Sequence, residues 1–248
     1  MQKMLVTIIT VAFNSEKTIG RTIESVLNQS YENIEYIIVD GASRDGTAEV
    51  ARSFQAAFDA AEGRSLRVIS EPDKGMYDAL NKGAALAQGQ LVGQINSDDW
   101  YEKDAVESMV KLYCDQGYDA AWGRIRIITS TGSMVKHARI GKIWSTVGWC
   151  HPAMFSKREL LLEFPYPLET MYDDFDYITA VHCAGRKIVT LDKIISNFTV
   201  GGQSTQKGLK EALRRARITY GIHRKYGMSR LYWPYRVAFE LAKSLLGG

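Results

Sequence analysis

The sequence predicts an α/β protein: a mostly parallel sheet flanked by helices, then a smaller second half and C-terminal helices. Three observations predict it. Apolar runs of strand length alternate with runs of helical period through the first hundred residues, joined by short connections. The run over residues 5–11 is continuous and rich in β-branched residues, as in a strand covered on both faces, and 34–39 reads as a second buried strand. Several of these runs stop at polar clusters on what would be one side of one sheet, where open parallel sheets bind ligands.

Taken in order, residues 5–11 form the first strand. Asn14-Ser15 then precede a helix over 16–29, in which Ile19, Ile23, Val26 and Leu27 recur at helical spacing. The second strand, 34–39, ends at Asp40-Gly41. A helix over 47–60, a strand over 66–70, a helix over 77–87 and a strand over 91–95 follow, the last stopping at Asn96-Ser97-Asp98-Asp99. A helix over 103–116 closes the first half. Strands over 118–129 and 133–138 then flank a Thr131-Gly132 turn. Residues 144–155 read as aromatic and irregular, 158–164 and 172–183 as helices, and 187–191 and 194–200 as extended. Helices over 209–225 and 230–246 end the chain. No internal repeat and no linker is visible, which predicts one domain with two halves.

The chain has 248 residues, of which 46% are hydrophobic and 24% charged, as in a globular protein. Five prolines and 21 glycines exclude a linker-rich or low-complexity chain. Cys114, Cys150 and Cys183 lie far apart with no C-x-x-C pair, which points away from zinc or a disulfide framework and towards reduced thiols in a cytosolic setting. The first ten residues are too short for a secretory segment, and no apolar run reaches the ~18 residues of a membrane span. A net charge of +3 hides an asymmetry. From Lys207 onward only Glu211 and Glu240 oppose a series of lysines and arginines, so that end should meet something anionic.

The chemistry should sit at the strand ends Ala12-Phe13-Asn14, Asp40-Gly41-Ala42-Ser43 and Asn96-Ser97-Asp98-Asp99. The plain alternative is that each is a turn capping the next helix, but three such ends on one sheet argue against it. Adjacent Asp98 and Asp99 are costly unless a cation shares them. Two hard oxygen ligands suit Mg²⁺ or Mn²⁺, which also take phosphate oxygens. No G-x-x-x-x-G-K-[ST] or G-x-G-x-x-G loop is present, so a metal would be the chief neutraliser of a diphosphate. That points to a nucleotide-diphosphate compound whose bond to the diphosphate is broken.

These segments, together with residues 71–83 (Glu71-Pro72-Asp73-Lys74-Gly75-Met76-Tyr77-Asp78-Ala79-Leu80-Asn81-Lys82-Gly83), resemble family 2 glycosyltransferases of the GT-A fold, of the bacterial surface-polysaccharide type. The resemblance covers about residues 3–203. It implies an inverting transfer from a nucleotide-sugar donor, usually UDP-linked, with Mn²⁺ or Mg²⁺ as cofactor. It places Asp40 against the base, Asp98 near ribose or metal, and Asp99 on the metal. Asn96 stands where the family often has Asp. Phe13, Asn14, Asp73 and Lys74 would flank the donor. For Asp73 and Lys74 a capped helix start with a solvated lysine is an equal alternative. The family's base falls at Tyr172-Asp173-Asp174-Phe175-Asp176, which makes Asp174 the catalytic base and Asp173 its acceptor-side neighbour. Without the resemblance these would read as an acidic first helical turn. His151 is an acceptor-side candidate, although a lone histidine is more often a satisfied core residue. Gly201-Gly202-Gln203-Ser204 is similar to a segment that closes over the donor. The processive Gln-x-x-Arg-Trp motif is missing, which implies addition of one sugar.

The resemblance divides the chain into a GT-A domain over residues 1–204, with a nucleotide-binding half (1–100) and an acceptor half (101–204), and a basic helical extension over 205–248. It implies a saccharide acceptor on a lipid carrier and a cytoplasmic, peripheral location on the inner face of the cell membrane. Arg230, Arg236 and Lys243, interleaved with Tyr232, Trp233, Tyr235 and Phe239, suit a helix in an anionic headgroup layer. A core lid or a homodimer contact is the competing reading for that helix. Nucleic acid is not expected as a partner, because bare acidic strand ends would repel phosphate. An inactive nucleotide-sugar binder and a nucleotidyltransferase of similar sheet are the alternatives to a transferase.

Overall fold

The computed structural model describes residues 3–141, 144–145, 148–200 and 208–245. Strands β1 (Val6–Ala12), β2 (Ile34–Asp40), β3 (Arg64–Ser70) and β4 (Leu91–Asn96) are parallel in the order β3-β2-β1-β4. Every residue of β1 is buried, as its unbroken apolar run requires of a strand with helices on both faces. Helices α1 (Ile19–Leu27), α2 (Thr47–Ser53), α3 (Gln55–Asp59) and α4 (Met76–Leu86) make the crossovers. The register sets Ala12 beside Asp40 and Val11 beside Asn96, so the ends of β1, β2 and β4 fall in one row. Beyond β4 come β5 (Trp100–Tyr101), α5 (Ala105–Gln116), β6 (Ala120–Thr129), β7 (Gly132–Lys136), β8 (Met154–Lys157), α6 (Arg158–Glu163), α7 (Asp173–Cys183) and β9 (Ile188–Thr199). The long pairings of the sheet are parallel, and the antiparallel ones are short. This is the mixed α/β sheet flanked by helices that the sequence predicts.

Several boundaries differ, each for a local reason. Helix α1 begins at Ile19 rather than at residue 16, because the Ser15 and Glu16 N–H groups donate to Thr47 Oγ1 and Asp45 Oδ2. The helix expected over 47–60 is two helices, α2 and α3, tightened at Phe54. Beyond that turn Phe58 is fully buried, its ring 5.6 Å from that of Tyr36. Residues 144–155 were expected to be irregular, yet Met154 opens β8, which joins β4 to β6. The two extended pieces of 187–200 are one strand, β9, with a bulge where it passes Gly123 and Arg124 of β6. Residues 201–204, with the glycine-rich segment, lie outside the described residues.

By contacts the chain divides into two compact units, residues 1–165 with 187–199, and residues 166–186 with 200–248. The second unit is helical: α7 packs on α8 (Leu209–Lys225), which packs on α9 (Tyr232–Leu245). Between α8 and α9 Glu240 accepts from Arg215 Nε and Arg236 Nη2, each at 2.8 Å, and all three side chains are buried. Arg236 Nε also donates to Thr219 Oγ1 at 2.8 Å. This corrects the expectation that Arg236 faces an anionic layer; the buried Glu240 needs it. Tyr232 likewise turns inward, its ring stacked 4.1 Å from that of His223.

Gly93 of β4 tests the sheet. A Cβ there would lie 2.7 Å from the Phe155 ring and 2.9 Å from Ile8 Cδ1. Gly93→Ala should therefore lower stability by about 1–3 kcal/mol. In a urea titration the midpoint should fall with the slope unchanged.

Candidate functional site

Four strand ends of the first unit are stitched into one polar ledge. After β1, Asn14 turns into the left-handed region (φ 51°), its N–H donating to Ser43 Oγ and its Oδ1 accepting from the Arg44 N–H. After β2, Ala42 is also left-handed (φ 56°), a conformation unfavourable for a residue with a Cβ. Asp40 is fully buried. Its carboxylate accepts from the Ser43 N–H at 3.1 Å, from Ser43 Oγ and from Ser70 Oγ at 2.6 Å, which ties β2 to the end of β3. Asp73 accepts from the Gly75 N–H at 2.8 Å and lies against Gly41, where a Cβ would come within 2.5 Å of its Oδ2. A larger residue at 41 would push that carboxylate aside. Ser97 Oγ donates to Ser15 Oγ at 2.8 Å and so joins β4 to β1. Phe13 stands out from the ledge, 62% exposed.

Asp98 and Asp99 sit at the β4 end. Asp99 is fully buried and accepts from the Thr199 N–H at 3.0 Å and from Asn96 Nδ2 at 3.2 Å. Burial, and then the charge of Asp98, push its carboxyl up to about 8. Burial also raises Asp98, against the pull of Arg21. The Asn96 Oδ1 oxygen is buried without a hydrogen-bond partner among the described residues. Two carboxylates and an orphaned amide oxygen are a hard oxygen set, and a divalent cation fits them. Among the described residues no three His, Cys, Asp or Glu side chains gather as a metal cluster, so such a cation would draw its remaining ligands from phosphate oxygens and water.

The other predicted residues have these places. Lys74 is exposed, and its backbone N–H donates to Asp78 Oδ2 at the start of α4. His151 is buried in a short 3₁₀ turn, its Nε2 2.8 Å from Gln94 Oε1 of β4; burial lowers its pKa to about 4, so it is neutral. Asp173 and Asp174 belong to the second unit. Asp173 is buried and accepts from the Glu169 and Thr170 N–H groups and from Thr170 Oγ1. Asp176 is buried against Lys225 and Tyr226. Asp174 is half-buried in the first turn of α7, and its Oδ1 accepts from the Phe175 N–H.

Several residues that shape the site carry no sequence signal of their own. Ser43 and Ser70 hold Asp40. Thr199 closes over Asp99 because two-residue β5 pairs with β9, and so brings a residue a hundred positions away to its carboxylate. Arg21 donates to the Asp98 carbonyl at 2.8 Å while its guanidinium lies 3.7 Å from the centre of the Trp100 ring. The helical spacing of residues 18–22 could have placed Arg21 on the outer face of α1, but not its partner.

The family model "Glycosyl transferase family 2" matches residues 7–195. A putative glycosyltransferase of Bacillus subtilis (strain 168), EpsH, is 33% identical over 116 residues, which are 47% of this chain and 32% of EpsH. This chain thus spans about a third of that relative's length. The Escherichia coli UDP-Glc:alpha-D-GlcNAc-diphosphoundecaprenol beta-1,3-glucosyltransferase WfgD is 24% identical over 238 residues, 94% of this chain and 92% of WfgD. Two solved structures share the fold. S. aureus TarS 1-349 in complex with UDP-GlcNAc has a TM-score of 0.71 and 16% identity over 96% of this chain and 72% of that one. The mannosyltransferase PcManGT from Pyrobaculum calidifontis, in complex with GDP-Man and Mn2+, has a TM-score of 0.69 and 18% identity over 100% of this chain and 76% of that one.

Asp99 sets a pH dependence that can be measured in EDTA. Native Asp99 keeps its proton up to about pH 8, whereas the unfolded chain releases it near pH 4. Between these values the native state binds more protons, so stability falls as pH rises through that window. Thermal unfolding in EDTA should show Tm declining across it, and Asp99→Asn should flatten the decline.

Proposed function

This chain belongs to glycosyl transferase family 2, and we propose that it moves one sugar from a UDP-sugar to a saccharide acceptor carried on a lipid, with inversion at the anomeric carbon. The observation that carries the reading is the ledge of four strand ends with the Asp98–Asp99 pair at its edge. The names of two relatives or neighbours, TarS with UDP-GlcNAc and WfgD with UDP-Glc, support a uridine nucleotide. WfgD, whose name gives a diphosphoundecaprenol-linked acceptor, aligns along nearly its whole length and supports the lipid carrier. Such an acceptor would bring the enzyme to the inner face of the cell membrane.

In this reading exposed Phe13 offers its ring to the base, and Asn14, Asp40 and Asp73 shape the nucleoside end of the ledge. Asp98 and Asp99 would hold the divalent metal, Mn²⁺ or Mg²⁺, whose contribution when bound is positive charge against the leaving diphosphate. An acceptor hydroxyl oxygen attacks the anomeric carbon on the face opposite the diphosphate. The glycosidic C–O bond forms as the bond to the phosphate oxygen breaks, and nucleoside diphosphate leaves. Asp174 takes the hydroxyl proton. Asp174 is half-buried in the first turn of α7, at the place where the family resemblance puts the base.

The test is transfer from UDP-sugars to a polyprenyl-diphosphate saccharide with and without EDTA. EDTA should abolish transfer, and added Mn²⁺ or Mg²⁺ should restore it. Asp99→Asn should abolish transfer while the circular dichroism spectrum stays native.

A separate variant tests the base. Asp174→Asn should lower kcat by about 10²–10⁴ with the UDP dissociation constant unchanged. Lost UDP affinity with intact kcat would make Asp174 a donor ligand instead.

A further inference from the structure

The burial of Arg215, Arg236 and Glu240 sorts the basic residues of the second unit into two sets. One set is paired inward: Arg215 and Arg236, buried on Glu240, and exposed Lys225, 3.0 Å from buried Asp176. The other lies on α8. Lys210, Arg214, Arg217 and Arg224 are spaced by four, three and seven residues, which puts them on one helix face, and all four are exposed. The buried face of α8 is the opposite one, through Ala212, Ala216, Thr219 and Ile222.

An apolar ridge runs beside the basic row. Leu209 (63% exposed), Leu213 (42%) and Tyr220 follow the same helical spacing one step around α8. Tyr220 carries Trp233 of α9, their ring centres 5.2 Å apart, and Trp233 is itself 39% exposed. Leu231, just before α9, is 77% exposed. Carboxylates scarcely oppose this face. Glu240 is sealed inside, and half-buried Glu211 lies on the flank, 3.5 Å from Arg214. Among the described residues no helix is long and apolar enough to cross a membrane.

We propose that the outer face of α8, with Trp233 and Leu231, is a docking surface for an anionic phospholipid leaflet. Charge complementarity chooses the occupant. A row of arginine and lysine against which, among the described residues, only Glu211 on the flank sets a carboxylate suits a continuous field of headgroup phosphates. The adjoining leucines and tryptophan have the composition of side chains that settle at the headgroup boundary. A protein partner would be expected to meet a mixed-sign rim. The face also differs from the expectation drawn from sequence, since Arg236 and Tyr232 turn inward and have no part in it. The surface is read without donor or acceptor, so it stands or falls apart from the transfer reaction.

The experiment is sedimentation of the whole chain with vesicles of phosphatidylcholine, with and without phosphatidylglycerol, at low and high salt. The chain should pellet with the anionic vesicles at low salt, and much less at high salt or with neutral vesicles. Each basic residue near such a surface contributes about fivefold in partitioning. The triple variant Lys210→Gln, Arg214→Gln, Arg217→Gln should therefore lose about a hundredfold, while Lys111→Gln on exposed α5 should lose at most a few-fold. Brominated lipid should quench tryptophan emission, and Trp233→Phe should remove most of that quenching. Equal binding to neutral vesicles, no binding at low salt, or equal losses in the triple variant and Lys111→Gln would overturn the proposal. So would a dimer in sedimentation velocity that the triple variant dissociates, because the face would then belong to a second copy.

Discussion

A fully buried aspartate beside another aspartate is the constraint around which the end of β4 is built. Asp99 has no water to solvate its charge, and Asp98 adds a like charge to it. The chain answers with two neutral donors, the Thr199 N–H and the Asn96 amide, and further out with one cation, Arg21 on the Asp98 carbonyl. These lower the cost without removing it, since the carboxyl stays far above its ordinary range. A cation bound between the two carboxylates would offset that cost. Asn96 belongs to the same logic. An aspartate there would set a third carboxylate against the pair, whereas the amide donates to Asp99 and leaves its own oxygen without a hydrogen-bond partner among the described residues.

Everything that surrounds the pair follows from strand register. Parallel β1 is the middle member of β2-β1-β4, so its end fixes the level at which its neighbours leave the sheet. Chain leaving three adjacent strands at one level has backbone groups to satisfy. Here they are satisfied across the strand ends, the Asn14 N–H by Ser43, the Arg44 N–H by Asn14 and the Ser15 N–H by Thr47, and a side-chain bond from Ser97 to Ser15 joins β4 to them. The left-handed turns at Asn14 and Ala42 are the local cost of that stitching. Gly41 serves differently: its missing Cβ leaves the space that the Asp73 carboxylate occupies.

The parts of the fold legible in the sequence were those whose signal is local. The apolar run Val6–Ala12, the run Ile34–Asp40 interrupted by Glu35, and the helical period kept up over the 17 residues Leu209–Lys225 announce their elements directly. Strand β5 has two residues and β8 four, too short for any alternation to register, and both are held by partners distant in sequence. The carboxylates of the site were legible as residue types at strand ends. Their partners Ser70 and Thr199 were not, because a serine or threonine carries no mark of which distant aspartate it will meet. His151 shows the same limit: its aromatic neighbours suggested a binding role, while its bond to Gln94 depends on β4 passing beneath it.

The basic end of the chain shows why net charge by sequence count misleads. A buried Arg–Glu–Arg cluster is close to neutral in its effect on stability, since desolvation offsets attraction. It is nonetheless selective about geometry. Glu240 accepts from Arg215 on α8 and from Arg236 one turn earlier on α9, so sliding or rotating either helix would leave a charge buried and unpaired. That fixes the rotation of α8 about its axis. Once Ala212, Arg215, Ala216 and Thr219 face inward, Lys210, Arg214 and Arg217 have no position except the outside. The internal ion cluster and the external basic row are thus one arrangement. The first sets the orientation that makes the second a surface.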